Sequence, residues 1–279
     1  AGYMPEFRHG WGIPTATDIA FAIGVITMLG NMVSPAMKAF LAALAVIDDL
    51  IAIVVIALFY GAGVNFMDLI AAAAVTGLLV YTNKQGYLRP LPYCVLGLVL
   101  WYLVLKSGVH ATIAGVVLAM TIPFKGEVLD KVVYPMEEWA HALKNWVNFF
   151  IIPLFSFLNA GVSFADFSME NLFHPVIIGV SLGLILGKQL GIFSAVYILV
   201  QSKAIKMPSN TTWPEIYGTA ILCGIGFTMS LFVATLAFPP GINQEMAKVG
   251  IFIGSIVAGL LGAIVLILAY QIRKIRGRI

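Results

Sequence analysis

Charged residues are scarce in this sequence. Lys and Arg number 16 and Asp and Glu 13 among 279 residues, or 10% of the chain, where a soluble domain carries about 25%. So little charge excludes an ordinary water-facing surface. Cysteine is rarer still. The two present, Cys94 and Cys223, both lie inside apolar runs, which excludes a disulfide framework or a Cys-based metal site. No Gly-rich phosphate loop followed by Lys-Ser or Lys-Thr occurs, so no ATP site is readable. Nor do apolar residues alternate with period two, which excludes a β-barrel. The formal charge of +3 does not point to nucleic acid, because the positive residues cluster between the apolar runs. No cleavable signal is visible and residue 1 is not Met, so we expect the natural N-terminus to lie upstream.

What the chain has in abundance is apolar length: 61% of its residues are hydrophobic. This composition predicts a helical membrane protein. Nine segments are readable: Ile13–Leu29, Ala39–Tyr60, Phe66–Tyr81, Leu91–Leu105, Val109–Ile122, Trp146–Val162, Val176–Val200, Ile216–Phe238 and Val249–Tyr270. The fifth is short for a full span. No loop between them is long enough to fold separately, so a single transmembrane domain over residues 1–279 is expected. Lys38, Lys84, Arg89, Lys125, Lys131, Lys144, Lys203, Lys206, Arg273, Lys274, Arg276 and Arg278 fall on one side. Arg8, Lys106 and Lys248 fall on the other. The excess of positive charge marks the cytoplasmic side, which predicts a cytoplasmic C-terminus and an external residue 1.

Four ionisable residues fall inside the spans: Asp18, Asp48, Asp49 and Lys188. A charge at mid-bilayer costs at least ~2.5 kcal/mol on insertion scales, so such residues mark ion pathways, proton relays or buried pairs. Asp48 and Asp49 are adjacent and point ~100° apart on a helix, yet both can reach one cavity. Lys188 lies at a compatible depth, where it serves either coupling or a purely structural ion pair. Two stretches read as interrupted helices. Pro14-Thr15-Ala16-Thr17-Asp18 is a poor start for a continuous helix, and Cys223-Gly224-Ile225-Gly226-Phe227-Thr228 carries two helix-weakening glycines. Irregular backbone at membrane depth is tolerated within protein or beside water. Opposed helix ends there would carry ~0.5 unit charges, positive ones offset by Asp18 and negative ones by Lys188. The competing reading of the glycines is close helix packing.

These residues, with Thr17-Asp18-Ile19-Ala20-Phe21-Ala22, Ala45-Val46-Ile47-Asp48-Asp49, Leu105-Lys106-Ser107-Gly108-Val109-His110-Ala111-Thr112, Asn159-Ala160-Gly161, Gly187-Lys188 and Cys223 to Ser230, closely resemble the NhaA-type sodium/proton antiporters. The likeness runs in order over essentially the whole chain, which looks like the last nine of that family's twelve helices. It implies an all-α polytopic fold with inverted repeats and midplane sites, in a bacterial inner membrane, without a cofactor. By this resemblance Asp49 is the principal carboxylate for the transported Na+ (or Li+) and Asp48 its partner in proton exchange. Lys188 pairs with Asp48 and couples protonation to conformational change. Thr17 and Asp18 belong to one interrupted helix, and Gly224, Gly226 and Thr228 to the other. His110 matches a histidine linked to pH response, although a lone interfacial histidine is more often structural. The charged loop Lys125–Lys144 resembles a pH-sensing region without a secure register, and a solvated loop explains its charges equally well. The resemblance also implies a homodimer in the intact protein, formed through a hairpin among three N-terminal helices that this chain lacks.

Other classes fit the residues less well. Intramembrane aspartyl proteases place their two acids on different helices, and here they are adjacent. A sodium-coupled symporter for organic anions needs more Asn, Gln and Ser within spans. A passive cation channel is opposed by the deep Lys188.

Overall fold

A computed structural model describes residues 5–61, 63, 65–128, 131–162, 169–208 and 211–275. Asp130 of the charged loop and Arg276 and Arg278 of the tail lie outside these. The protein is an all-α polytopic membrane protein. Among the described residues twelve α-helices run in order: α1 Ile19–Met28, α2 Pro35–Phe59, α3 Phe66–Lys84, α4 Pro90–Lys106, α5 Thr112–Thr121, α6 Pro135–Trp146, α7 Ile152–Asn159, α8 Pro175–Leu182, α9 Lys188–Gln201, α10 Trp213–Leu222, α11 Phe227–Ala237 and α12 Ile242–Ile275. A 3-10 segment, Pro5–Thr15, precedes α1. Wider π turns at Val147–Ile151 and Gly183–Gly187 join α6 to α7 and α8 to α9.

Local chemistry sets many of these ends. Asn65 caps α3 by accepting from Met67 N at 3.0 Å. Prolines stand in the first turns of α4, α6, α8 and α10, where the missing N–H is no loss. Among the described residues α2, α3, the joined α8–α9 and α12 are each long and apolar enough to cross a bilayer. Two further pairs, the 3-10 segment with α1 and α10 with α11, qualify as bent spans, and α4 and α5 are shorter apolar helices.

The chain divides into two compact units, Ala1–Ala52 with Phe155–Ile279, and Ile53–Leu154. The first is packed around Ile26, Met37, Leu41, Leu222, Cys223, Ala258 and Leu266. Its long α12 buries Ala258, Gly262, Leu266 and Ala269 while leaving Leu260, Ile264 and Leu268 exposed. Apolar residues on both faces are what a lipid-facing helix requires. Small residues on α12 let it approach its neighbours closely: Gly250 meets Ile177, Gly254 meets Leu184 and Gly262 meets Leu222.

The second unit centres on Leu79, Tyr93, Leu100 and Val104, with Ala72 and Ala114. The charged stretch after residue 125, read as a loop from its composition, holds a small antiparallel hairpin. Strand β1 (Gly126–Val128) pairs with β2 (Lys131–Val133), Gly126 opposite Val133 and Glu127 opposite Val132. The remainder is α6, whose Glu137 and Glu138 occupy the first turn and Lys144 the last. That placement complements the helix dipole. The order of charges along α6, which composition alone does not convey, suits a helix there.

Candidate functional site

The site lies within the first unit, where two interrupted spans meet. The 3-10 segment and α1 are bent by 42° across their break, and α10 and α11 by 45° across theirs. In a bilayer the backbone groups freed at such breaks find no water, so each needs a partner in the protein. The breaks supply one another. Asp18 N–H donates to Ile225 O at 2.7 Å, and the Thr17 hydroxyl stands 2.9 Å from Cys223 O.

Asp18 is 2% exposed and caps two helices at once. Its Oδ1 accepts from Phe21 N at 3.1 Å, in the first turn of α1. Its Oδ2 accepts from Thr228 N at 2.9 Å and also from the Thr228 hydroxyl, at the start of α11. A carboxylate facing two positive helix ends is favourably placed. Only Gly fits at 224 and 226 without rearrangement. A Cβ at 224 would run into the carbonyl of Leu184, and one at 226 into the Ser230 hydroxyl. Space, rather than an unusual backbone angle, demands these glycines.

Lys188 opens α9, directly after the π turn at Gly183–Gly187. Its ammonium donates to Asp48 Oδ2 and, at 3.0 Å, to Thr17 Oγ1. The Lys188 and Asp48 side chains are 10% and 19% exposed. Thr17 Oγ1 also stands 2.7 Å from Asp48 Oδ2. With a single hydroxyl proton, Thr17 donates either to Asp48 or to Cys223 O at one time. Lys188 therefore reaches the carbonyl end of α10 through Thr17.

Asp49 is different. Its Oδ1 is buried and has no hydrogen-bond partner among the described residues. Such a buried acceptor is costly and calls for explanation. A cavity of about 540 Å³ is lined by Asp48 and Lys188 together with Pro14, Thr15, Leu44 and Gly187. Asp49 is not among the described residues lining it. No group of three or more His, Cys, Asp or Glu side chains converges among the described residues. A cation where the breaks meet could draw on Asp48, the Thr17 hydroxyl and the Cys223 carbonyl.

His110 belongs to the second unit, in the turn between α4 and α5, with Nε2 2.8 Å from Tyr60 O. Three further residues matter: Ser255 and Glu215, which the motifs do not include, and Ser230, which stands in a motif without a role assigned to it. Ser255 Oγ accepts from Gly226 N at 3.2 Å and Phe227 N at 3.1 Å. The Ser230 hydroxyl donates to Ile13 O at 2.8 Å. Glu215, 1% exposed, pairs with Arg273 at 3.0 Å and accepts from Thr212 N at 2.6 Å. Two signals for these were present. Ser255 is the lone hydroxyl between Val249 and Leu268, and Thr212-x-x-Glu215 has the spacing of a capping box.

The fold and this centre define a class: a helical membrane protein in which two broken spans meet at a cluster of buried and half-buried carboxylates and an ammonium. Residues 3–266 match the family described as Na+/H+ antiporter 1, and the chain belongs to that family. It is 48% identical over 264 residues to the Na(+)/H(+) antiporter NhaA of Caulobacter vibrioides, covering 94% of this chain and 64% of that protein. The protein of the same name from Nitrobacter hamburgensis is 47% identical over 266 residues (95% and 65%). That of Mesorhizobium japonicum is 49% identical over 266 residues (93% and 66%). The chain thus spans about two thirds of the length of these relatives.

Proposed function

We propose that this chain forms the ion-translocating part of a secondary active antiporter that exports Na+ or Li+ in exchange for H+. In this reading it crosses a bacterial inner membrane nine times, with its C-terminus in the cytoplasm and inverted repeats crossing at the site. It acts as a homodimer in the intact protein, and its activity depends on pH. The observation that carries the reading is the contrast between adjacent carboxylates at the crossing. Asp48 is held by Lys188 and Thr17, whereas Asp49 Oδ1 is buried without a partner among the described residues. Asp49 is then the group free to take a cation or a proton, and Asp48 the group whose charge state the protein senses.

The chemistry follows from competition. A carboxylate that binds Na+ cannot keep its proton, so cytoplasmic sodium displaces protons from Asp49 and Asp48. A proton arriving on Asp48 weakens its hold on Lys188 and turns the Thr17 hydroxyl toward Cys223 O. That links protonation to the joint between the two broken spans, the place where alternating access would be controlled. No chemical bond of a substrate is broken, so the protein acts as a carrier rather than an enzyme.

The test is sodium-dependent collapse of an imposed ΔpH in everted vesicles, read by dequenching of a pH-sensitive dye. It is run on this chain and on a chimera supplying the part of the Caulobacter vibrioides relative that the chain does not span. Dequenching on sodium addition, abolished by Asp49→Asn, is the expected result. A membrane-inserted chimera silent to both sodium and lithium would overturn the reading.

A further inference from the structure

At the second break the first amides of α11 are left over by the interruption. Thr228 N is taken by Asp18, and Ser230 N by Gly226 O. Gly226 N and Phe227 N instead point at Ser255 Oγ, 3.2 and 3.1 Å away, from the middle of α12. Ser255 is 7% exposed. Among the described residues it is also the single polar side chain in the lining of a cavity of about 430 Å³, whose walls include Phe21, Ile225, Phe227, Phe252 and Ile256. An apolar cavity does not hold water stably. Without the Ser255 hydroxyl these two amides would face hydrocarbon.

We propose that Ser255 is a positioning residue for ion exchange. Its hydroxyl fixes the broken end of α11, and through it the Asp18–Thr228 contact, in the geometry that the crossing needs. The consequence reaches the site by a short route: Ser255 to Phe227 N, then one residue along α11 to Thr228, then Asp18, whose neighbour Thr17 touches Asp48 and Lys188. Ser255 touches neither ion nor carboxylate, so it acts by holding one end of α11 against α12. The inference rests on the antiport reading for its functional half.

The test compares Ser255→Thr with Ser255→Val in the vesicle assay, using the chimera. The two side chains have nearly the same volume, so the pair isolates the hydroxyl. The apparent KM for sodium and the maximal rate are measured alongside hydrogen–deuterium exchange over residues 223–230. Leaving two buried N–H groups without an acceptor is expected to raise the KM about tenfold in Ser255→Val relative to Ser255→Thr. Ser255→Thr should stay near the unsubstituted protein, and exchange at residues 226 and 227 should quicken only in Ser255→Val. Equal KM values and equal exchange in the two variants, on an active background, would overturn the positioning role and leave the antiport reading standing. An unsubstituted chimera inert to sodium would overturn the antiport reading and the role of Ser255 in it together.

Discussion

The two breaks do the same job by opposite means. At the first, Thr17 and Asp18 contribute side chains: a hydroxyl shared among Cys223 O, Asp48 and Lys188, and a carboxylate that caps α1 and α11. At the second, the contribution is mainly backbone, with the Thr228 hydroxyl beside it. Cys223 O and Ile225 O accept, Thr228 N donates, and Gly224 and Gly226 provide the space in which these groups approach. One break carries the charge and the other carries the shape.

The comparison can be broken from either side. Asp18→Ala is expected to have the largest effect, because it strips the acceptor from Phe21 N, Thr228 N and the Thr228 hydroxyl at once. A loss of about 3 kcal/mol or more is expected from unsatisfied buried donors, read as a lowered thermal midpoint in detergent together with lost transport. Gly224→Ala comes next. One added methyl meets the Leu184 carbonyl, a backbone atom that cannot swing away, and overpacking of this kind costs about 1–3 kcal/mol. Thr17→Val keeps the shape and removes the hydroxyl, so the expected loss is about 1–2 kcal/mol. Transport should suffer more than stability, because the link between Asp48 and α10 is cut. Cys223→Ala should do least, roughly 1 kcal/mol or below from lost packing, although Cys223 is fully buried. At that position the carbonyl is used and the thiol is not. A Cys223→Ala effect as large as that of Thr17→Val would contradict the division of labour between the breaks.

Much of this site was legible in the sequence because charge is so rare in the chain. Asp18, Asp48, Asp49 and Lys188 stand out against apolar surroundings, and Pro14 and the paired glycines mark the interruptions. The order in which these groups meet was not legible. That Asp18 and Lys188 answer helix ends of opposite sign is readable from residue type, but the route is not. Lys188 reaches α10 through Thr17 and Asp18 caps α11 as well as its own helix, contacts that join positions 171 to 210 residues apart. Ser255 was missed because a lone serine in an apolar run looks like tolerated filler until its two amide partners are in view. The first half of the first bent span was also obscured. Arg8, His9, Gly10 and Gly12 interrupt the apolar pattern, so periodicity starts at Ile13, while the 3-10 segment begins at Pro5. In the segment after residue 125, composition alone suggests a loop, whereas the structure holds a hairpin and α6, the latter with its acids in the first turn and Lys144 in the last.

The central claim is that sodium and protons compete for the carboxylates at the crossing, with Asp49 as the binding group. The most direct measurement is radioactive sodium binding to the purified chimera at several pH values, beside Asp49→Asn and Lys188→Met. Sodium affinity should weaken steadily as pH falls, and Asp49→Asn should bind none. Lys188→Met should still bind sodium but with an altered pH dependence, since the Asp48 carboxylate loses its partner. Sodium binding that is indifferent to pH, or that survives Asp49→Asn unchanged, would contradict that claim.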